Sequence, residues 1–335
     1  MNWSVDPIFY SYTKQLLSLL SLGLFFSFSC RQDTASAVTP APLPTVVFYL
    51  SDTGQTTSYT ATPGEDADYL VNPPSFTDNS DGTVSDNNTG LVWQKTDGGE
   101  MSYENAVSYC KNLSLGGHAD WRLPTGFELF GINIYDKVNP ALDTNFFTKT
   151  LAEYWWTSEV RADDANYIWV VNAGGGIGAH PKTETLSAGG SKRFHVRAVR
   201  LSSTANRSSA HLTDNGDGTV TDSSTGLIWQ KALSMTTLTW EESLKYAAAL
   251  SLTGKNDWRI PNIRELQSLN DATLTKPSFN KSFFPGISSG NFWSSTSQVN
   301  TPVRAWDINV DYGIVSYSDK TIKENVLCVR GGNKK

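Results

Sequence analysis

Two loops of this sequence carry side chains whose oxygens could bind a hard cation. Residues 78–86 and 214–222 each combine carboxylates, amides and glycine, a chemistry that suits Ca²⁺. The same residue types favour tight turns, and the loops lack the spacing and the terminal Glu of an EF-hand. Both interpretations stay open, with turns favoured. The candidate calcium ligands are Asp78, Asp81, Asp86, Asp214, Asp217 and Asp222.

A Trp-Arg motif occurs twice, as Asp-Trp-Arg-Leu-Pro at 120–124 and Asp-Trp-Arg-Ile-Pro at 257–261. Trp and Arg are frequent anchors of binding sites. A structural role is favoured, because helix-start signals follow the motif at both places. The Trp would then lie in the core, the Arg would be paired, and the Pro would set the start of the helix.

The sequence offers little for catalysis. Its four histidines are His118, His180, His195 and His211, and none recurs at an equivalent position of the internal repeat described below. It contains no serine elbow and no zinc-ligand spacing, and its Gly174-Gly175-Gly176 run lacks the helix that a phosphate-binding loop requires. The sequence therefore predicts a protein that is not an enzyme.

The chain contains a long internal repeat. Residues 77–86 return at 213–222, and both copies continue into Thr-Gly-Leu-x-Trp-Gln-Lys, the Trp-Arg motif and a closing Val-Arg. The period is too long for a solenoid unit and suits a self-contained domain. We therefore predict tandem domains at residues 72–201 and 211–331, joined by a polar, Ser-rich linker at 202–210.

Each repeat predicts the same elements. A β-hairpin comes first, and then an amphipathic helix that begins after Ser102 or Thr239. A second, shorter helix begins at a capping box, with Thr125 in one repeat and Asn262 in the other. Short strands rich in Trp, Val and Tyr complete each unit. The predicted class is α+β, with two short helices and small antiparallel sheets in each domain.

The N-terminal residues have the pattern of an export signal. Lys14 precedes an apolar run at 16–28, which is too short to span a bilayer comfortably, and Cys30 follows a small residue. This predicts a lipoprotein signal peptide at 1–29, with Cys30 as the lipidated residue. An ordinary secretory signal followed by an unrelated thiol is the alternative. Residues 30–71 would form a tether, rich in Ala, Pro, Ser and Thr, and a lead-in segment.

Composition excludes one class of partner. The chain is 39% hydrophobic, 18% charged and 12% aromatic, with eleven Trp, so it can bury substantial cores. Its net charge is −6 and its pI is about 5.3, so no basic field is available to bind nucleic acid.

Taken together, these motifs closely resemble the Lcl C-terminal domain family, which has a C-type-lectin-like fold. The resemblance rests on the Asp-Gly-Thr-Val hairpin, the Trp-Arg motif, a Trp-Thr-Ser or Trp-Ser-Ser strand and the closing Val-Arg. It covers both repeats and implies two tandem C-type-lectin-like domains. It also implies surface exposure and, as in the collagen-like adhesin that gives the family its name, binding of host glycosaminoglycans. The family has no common catalytic residues.

The resemblance also implies where a ligand would bind. Lectin-like folds usually bind in the strand and loop region, where exposed aromatic rings could stack on sugar faces. The predicted ligand-binding residues are Tyr154, Trp155, Trp156, Arg161, Phe292, Trp293 and Arg304.

The two remaining cysteines do not match between the repeats. Cys110 lies on the first helix, where the second repeat has Ala247, and Cys328 lies in the closing strand, where the first repeat has Ala198. In related domains these two positions pair within one unit. One hypothesis is a Cys110–Cys328 bridge between the domains; the alternative is two separate buried thiols.

The expected function is that of a lipid-anchored adhesin for extracellular-matrix carbohydrate or protein, on the outer membrane or cell surface of a bacterium. A structural envelope protein is the second hypothesis. An enzyme related to the formylglycine-generating branch of the same broad fold is a weaker third.

Overall fold

The computed structural model describes residues 49–184, 194–202 and 211–332. The predicted signal peptide, Cys30 and most of the predicted linker lie outside these residues. Within the described part of the chain, no helix is both long enough and apolar enough to cross a membrane.

The first repeat begins with short strands, continues through two helices and ends with further strands. Its elements are β1 (Phe76–Asp78), β2 (Thr83–Asp86), β3 (Leu91–Gln94), α1 (Tyr103–Asn112), α2 (Gly126–Phe130), β4 (Tyr154–Arg161), β5 (Asp164–Asn172), β6 (Ile177–Pro181), β7 (Phe194–His195) and β8 (Val199–Leu201). The predicted helix starts are confirmed. Ser102 accepts a hydrogen bond from the backbone N–H of Asn105, and Thr125 and Glu128 form a capping box.

The second repeat has the same order of elements, except that it has no described strand equivalent to β7. They are β9 (Leu212–Asp214), β10 (Thr219–Asp222), β11 (Leu227–Gln230), α3 (Trp240–Ala249), α4 (Ile263–Ser268), β12 (Asn291–Ser297), β13 (Arg304–Asn309), β14 (Ile314–Asp319) and β15 (Val329–Gly331). Both of its helices begin at capping boxes, Thr239 with Glu242 and Asn262 with Glu265, as predicted. The α+β class is confirmed.

Three sheets organise these strands. Each repeat has its own four-stranded sheet, in the order β1-β2-β3-β8 or β9-β10-β11-β15. The third sheet has seven strands in the order β12-β13-β14-β6-β5-β4-β7 and runs through both repeats. The two halves of this sheet meet where β14 pairs with β6, through a single bridge between Val315 and Ile177.

The Trp-Arg motif has the structural role that the sequence favoured. Trp121 is buried, and Arg122 binds both carboxylate oxygens of the capping-box Glu128, at 2.8 and 2.7 Å. In the second repeat Arg259 binds Glu265 in the same way, at 2.6 Å to each oxygen. The motif therefore ties the chain before each short helix to the first turn of that helix.

The hydrophobic core is continuous between the repeats. One cluster contains Trp169 and Ile177 of the first repeat together with Trp306 and Val315 of the second. Each repeat also has a smaller cluster between its long helix and the other face of the central sheet. The two repeats thus pack against each other within one compact unit.

The second half of the predicted tether and lead-in segment is packed into this unit. Thr53, Gln55 and Asp66 are buried, and the Asp66 carboxylate accepts hydrogen bonds from Thr53 and Thr296, both at 2.6 Å. Burial raises the pKa of Asp66 to about 7. Thr296 also accepts from the backbone N–H of Ile263, the first residue of α4, so the lead-in supports the start of that helix. Only residues before 49 remain as a predicted tether.

Candidate functional site

Four of the seven predicted ligand-binding residues lie in the core. Trp155 is only 3% exposed, and Trp156, Phe292 and Trp293 are fully buried. Trp156 donates from its indole N–H to the carbonyl of Met101, and Trp293 donates to that of Leu238, each at 3.0 Å. The prediction that these rings stack on a ligand was wrong, because packed side chains cover both faces of the central sheet at β4 and β12.

The other three residues lie nearer the surface. The Arg161 guanidinium lies 4.3 Å from the ring centre of Tyr167 and pairs with Asp163. Arg304 pairs with Asp319 and lies over the ring of Tyr317. Of the seven predicted ligand-binding residues, Tyr154 is the one that lines a groove.

This groove, the seam groove, lies where the two repeats join in the central sheet. Its cavity volume is about 420 Å³. The strands β6 and β14 are bridged only at Ile177 and Val315. Side chains and loops of both repeats can therefore line the space beside that bridge. The lining residues are Tyr135, Lys137, Val138, Asn139, Tyr154, Asn172, Gly174, Gly176, Ile177, Gly178, His180, Gln298, Val299, Asn300, Trp306, Val315, Ser316 and Tyr317.

Aromatic rings from both repeats line the seam groove. On one side, the Tyr154 ring lies 4.7 Å from the His180 ring and stacks on Phe194 at 5.1 Å between centroids. On the other side, Tyr317 is 40% exposed and meets the edge of Trp306 at 90°. His180 and Phe194 thus hold the half-buried Tyr154 ring in place, and Trp306 and Arg304 hold that of Tyr317.

Glycines let the backbones approach closely at this seam. A methyl group added at Gly176 would lie 3.1 Å from the carbonyl oxygen of Val315, so a side chain there would crowd the contact between the repeats. Gly178 differs, because a methyl group on it would meet no atom within 4 Å and its backbone is ordinary strand. The fold does not require glycine at 178, and its absent side chain leaves the groove open.

Amide side chains also line the seam groove. Gln298 is 8% exposed, and its Oε1 is buried without a hydrogen-bond partner within the described residues. Asn172, Asn300 and Lys137 line the same space. A few amide groups placed among aromatic rings are typical of sites for small polar ligands.

Reasoning from the sequence missed most of this groove. His180, Gly178, Gln298 and Tyr317 were not predicted as site residues. The Gly174-Gly175-Gly176 run was the available signal, since glycine inside a strand-rich stretch often marks a close backbone approach. Only the pairing of β6 with β14 places that run against the second repeat.

Two segments of the chain, residues 82–200 and 218–330, match the Lcl C-terminal domain, and together they cover more than half of the sequence. The chain belongs to the Lcl C-terminal domain family. Each matched segment lies within one of the predicted domains, so the tandem arrangement inferred from the repeats is confirmed. No curated protein matches the sequence.

In both Lcl C-terminal domains the acidic hairpin loops have the contacts of turns. Asp78 accepts from the backbone N–H of Ser80 and pairs with Lys95 at 2.5 Å, and Asp214 does the same with Gly216 and Lys231. The contacts of the other carboxylates are also local. Asp81 and Asp217 each accept from the backbone N–H of the Thr two residues later. Asp86 and Asp222 accept from the backbone N–H groups of residues 88 and 224. Among the described residues, no group of three or more His, Cys, Asp and Glu could hold a metal. These contacts fit the turn interpretation rather than a calcium site.

The two described cysteines of the Lcl C-terminal domains are separate buried thiols. Cys110 lies in the core cluster of the first repeat and Cys328 in that of the second, and neither is bonded. The hypothesis of a Cys110–Cys328 bridge was therefore wrong, because each cysteine faces its own repeat. Burial raises the pKa of Cys110 to about 12 and also raises that of Cys328.

A buried acid and histidine pair lies in the first domain. His195 Nδ1 is 3.0 Å from Asp97, and Arg197 is 3.9 Å from the same carboxylate. Although burial opposes ionisation, the hydrogen bond from His195 and the charge of Arg197 lower the pKa of Asp97 to about 2. All three side chains are buried in the first domain.

Proposed function

We propose that this protein is a non-enzymatic, surface-exposed binding module whose seam groove takes an extracellular carbohydrate. The observation that carries the proposal is the placement, in one groove, of the Tyr154 and Tyr317 rings beside the amide side chains of Gln298 and Asn300. Aromatic faces stack on the apolar faces of sugars, and amides bind their hydroxyls. Family membership supports the proposal, since the family is named for an adhesin.

The predicted lipoprotein signal supports a place at the bacterial surface. A lipid on Cys30, followed by a polar tether, would hold the packed unit away from the membrane. Replacing Cys30 by Ser in the expressing bacterium and measuring the release of the protein from membranes tests this part separately. If the Cys30→Ser protein stays in the membrane fraction, the anchor proposal is wrong.

The binding proposal is tested on a glycan and matrix-protein array with the purified chain lacking its signal segment, with and without Ca²⁺. We expect dose-dependent binding to a carbohydrate, at least tenfold weaker in Tyr154→Ala and Tyr317→Ala. Tyr167→Ala is the matched control, because Tyr167 pairs with Arg161 outside the groove. Equal losses in all three variants would contradict the assignment of the groove.

Gly178→Val is the sharpest single test. Valine favours strands and has room at this position, so we expect no loss of stability. Its side chain would occupy the groove, so we expect carbohydrate binding to fall at least tenfold. If Gly178→Val binds as well as the wild type, the ligand lies elsewhere.

A blank array with folded protein would favour the structural envelope role instead. An enzyme of the formylglycine-generating kind is opposed by the two described thiols, which are buried and have raised pKa values. Such chemistry needs an accessible thiolate.

A further inference from the structure

The lead-in covers one surface of the second repeat, formed by the end of β12 and the start of α3. The Gln55 side chain donates to the carbonyl of Ser297 at 2.8 Å and accepts from the backbone N–H of the same residue at 2.9 Å. The hydroxyls of Thr60 and Thr62 donate to Glu241, which lies on the first turn of α3. The lead-in thus binds the strand and the helix through polar contacts.

A charge pair and an apolar contact complete this covered surface. Lys320 Nζ lies 3.6 Å from the ring centre of Trp240 and 4.0 Å from Oε1 of Glu65, a lead-in residue that is fully buried. A methyl group added at Gly64 would lie 3.5 Å from Cδ2 of Leu244, so the lead-in backbone packs closely on α3. The lead-in therefore supplies an acid for the lysine and covers the leucine.

Each of these positions of the second repeat has an equivalent in the first. The strands β4 and β12 both shift register just before the equivalent positions Val160 and Ser297. Lys182 lies 5.9 Å from the ring centre of the first residue of α1, just as Lys320 lies over that of the first residue of α3. The equivalents are Tyr103 for Trp240, Glu104 for Glu241, Val107 for Leu244, Val160 for Ser297 and Lys182 for Lys320. We call these five residues of the first repeat the uncovered surface.

The apolar residues of the uncovered surface are open to solvent. Val107 is 41% exposed and Val160 is 42% exposed, whereas their equivalents Leu244 and Ser297 are 1% and 0% exposed. Single exposed apolar residues are common on protein surfaces. Two of them at positions that a peptide segment covers in the other repeat indicate a contact surface.

The charged residues of the uncovered surface suit a partner of the same kind. Lys182 is half-buried, and no carboxylate of the described chain pairs with it; Glu184, two residues later, pairs with His180 at 2.8 Å. Glu104 is exposed on the first turn of α1, the place where Glu241 of α3 accepts from two threonines. An acid for the lysine and hydroxyl donors for the glutamate would complement these charges.

We propose that the uncovered surface docks a peptide segment of another protein, one that carries a glutamate and threonines as the lead-in does. The glutamate of the segment would pair with Lys182, its threonines would donate to Glu104, and its backbone would cover Val107 and Val160. The template for this arrangement is the lead-in on the second repeat. The uncovered surface shares no residue with the seam groove, so the proposal goes beyond the carbohydrate role and does not depend on it.

The test is calorimetric titration of the whole chain, without its signal segment, with a synthetic peptide of residues 55–68. The lead-in already fills the surface of the second repeat, so added peptide reports on the first. We expect saturable binding of one peptide per chain, and at least fivefold weaker binding of the peptide with Glu65→Gln. No saturable binding at millimolar peptide would overturn the proposal.

Two variants of the chain locate the binding. Lys182→Gln removes the charge, and Val107→Asp places a carboxylate on an exposed helix face. Each should weaken peptide binding at least fivefold, with the unfolding midpoint nearly unchanged. Lys255→Gln is the control, because it makes the same change at an exposed lysine of the second repeat, and it should bind the peptide normally.

Two results would overturn the assignment. Unchanged binding in both Lys182→Gln and Val107→Asp would show that the peptide binds elsewhere, for example by displacing the lead-in from the second repeat. Self-association of the chain that Lys182→Gln abolishes, with no binding of the peptide, would show that a second copy occupies the uncovered surface.

Discussion

A set of equivalent core positions holds mostly charged and polar side chains in the first repeat and mostly apolar side chains in the second. In the first repeat, the set is Asp97, Thr150, Trp155, His195 and Arg197, and the equivalent residues of the second are Leu233, Ile287, Phe292, Asn325 and Leu327. Asp97 accepts hydrogen bonds from Thr150 at 2.8 Å, Trp155 at 2.9 Å and the backbone N–H of Gly99 at 3.1 Å, in addition to His195. In the second repeat Ile287, Phe292 and Leu327 belong to the shared apolar core.

This difference shows that the fold does not require the buried charges. An ionic cluster and an apolar cluster fit the same backbone, as expected where the Coulomb attraction only offsets the cost of desolvation. We expect that neither repeat tolerates half of the cluster. Exchanging core residues between the repeats therefore tests whether the two kinds of cluster are interchangeable.

The largest effect is expected from Arg197→Leu alone. Arg197 also donates to the carbonyls of Gln94 and Lys95, and its loss leaves the buried Asp97 carboxylate without a countercharge. We expect a loss of ~3–5 kcal/mol in the free energy of unfolding, measured by urea denaturation.

Transplanting the whole second-repeat set is the matched control. Asp97→Leu, Thr150→Ile, Trp155→Phe, His195→Asn and Arg197→Leu together should recover most of the stability lost in the single variant. If the variant with all five substitutions is as unstable as Arg197→Leu, the two kinds of core cluster are not interchangeable.

The next effect concerns the cysteine that each repeat lacks. Cys110 shares its core cluster with Ala198, and Cys328 shares its own with Ala247. We expect Ala198→Cys to form a disulfide with Cys110 and to gain about 2–4 kcal/mol of stability, because the bridge closes a long loop in the unfolded chain. Ala247→Cys should do the same with Cys328. Peptide mapping without reductant checks the pairs, and linkage of Cys110 to Cys328 instead would contradict the structure.

Two buried acids of the second repeat and Asp97 of the first should respond to pH in opposite directions. Asp307 and Glu324 of the second repeat are 1% and 4% exposed, and burial raises their pKa values to about 6 and about 7. Raised carboxyl pKa values stabilise the fold most below about pH 4, and that stability is lost as pH rises through 6 to 7. The lowered pKa of Asp97 gives stability above about pH 4 that is lost as pH falls towards 2.

We therefore expect the unfolding free energy to be higher at pH 5 than at pH 8, by on the order of 1–2 kcal/mol. Glu324→Gln should reduce the fall in the unfolding free energy between pH 5 and pH 8. Asp97→Asn should change the unfolding free energy only below about pH 4. Urea denaturation across pH 2 to 8 measures both. A wild type that is more stable at pH 8 than at pH 5 would show that these acids are ionised at little cost.

The smallest effect is expected where the repeats agree. Lys95 pairs with Asp78 and Lys231 with Asp214, each at 2.5 Å and each partly exposed. Surface pairs of this kind contribute ~0.2–1 kcal/mol, so Lys95→Ala and Lys231→Ala should have small and equal effects on the unfolding midpoint. Unequal effects would show that the two hairpins differ in a way that their contacts do not reveal.

Several features of the fold could be predicted from the sequence because they depend on residues that are close together in the chain. The capping boxes at Thr125, Thr239 and Asn262 join residues three apart, and the Arg122–Glu128 pair spans six residues. Most of the candidate site could not be predicted in this way. Tyr154 was found, but Tyr317 and Gln298 reach the same groove from the other repeat.

The sequence by itself determined the duplication, the α+β class and the helix starts. Repeats can be read directly along the chain, and helix caps depend on residues that are only three positions apart. The tertiary structure alone decided which tryptophans are buried, where the seam groove opens and how the lead-in packs. The reason is that β6 and β14 join the repeats into one sheet, which packed side chains cover on both faces at β4 and β12. Alternation along β4 therefore puts Trp155 in one core cluster and Trp156 in another. No pattern within one repeat encodes that joining.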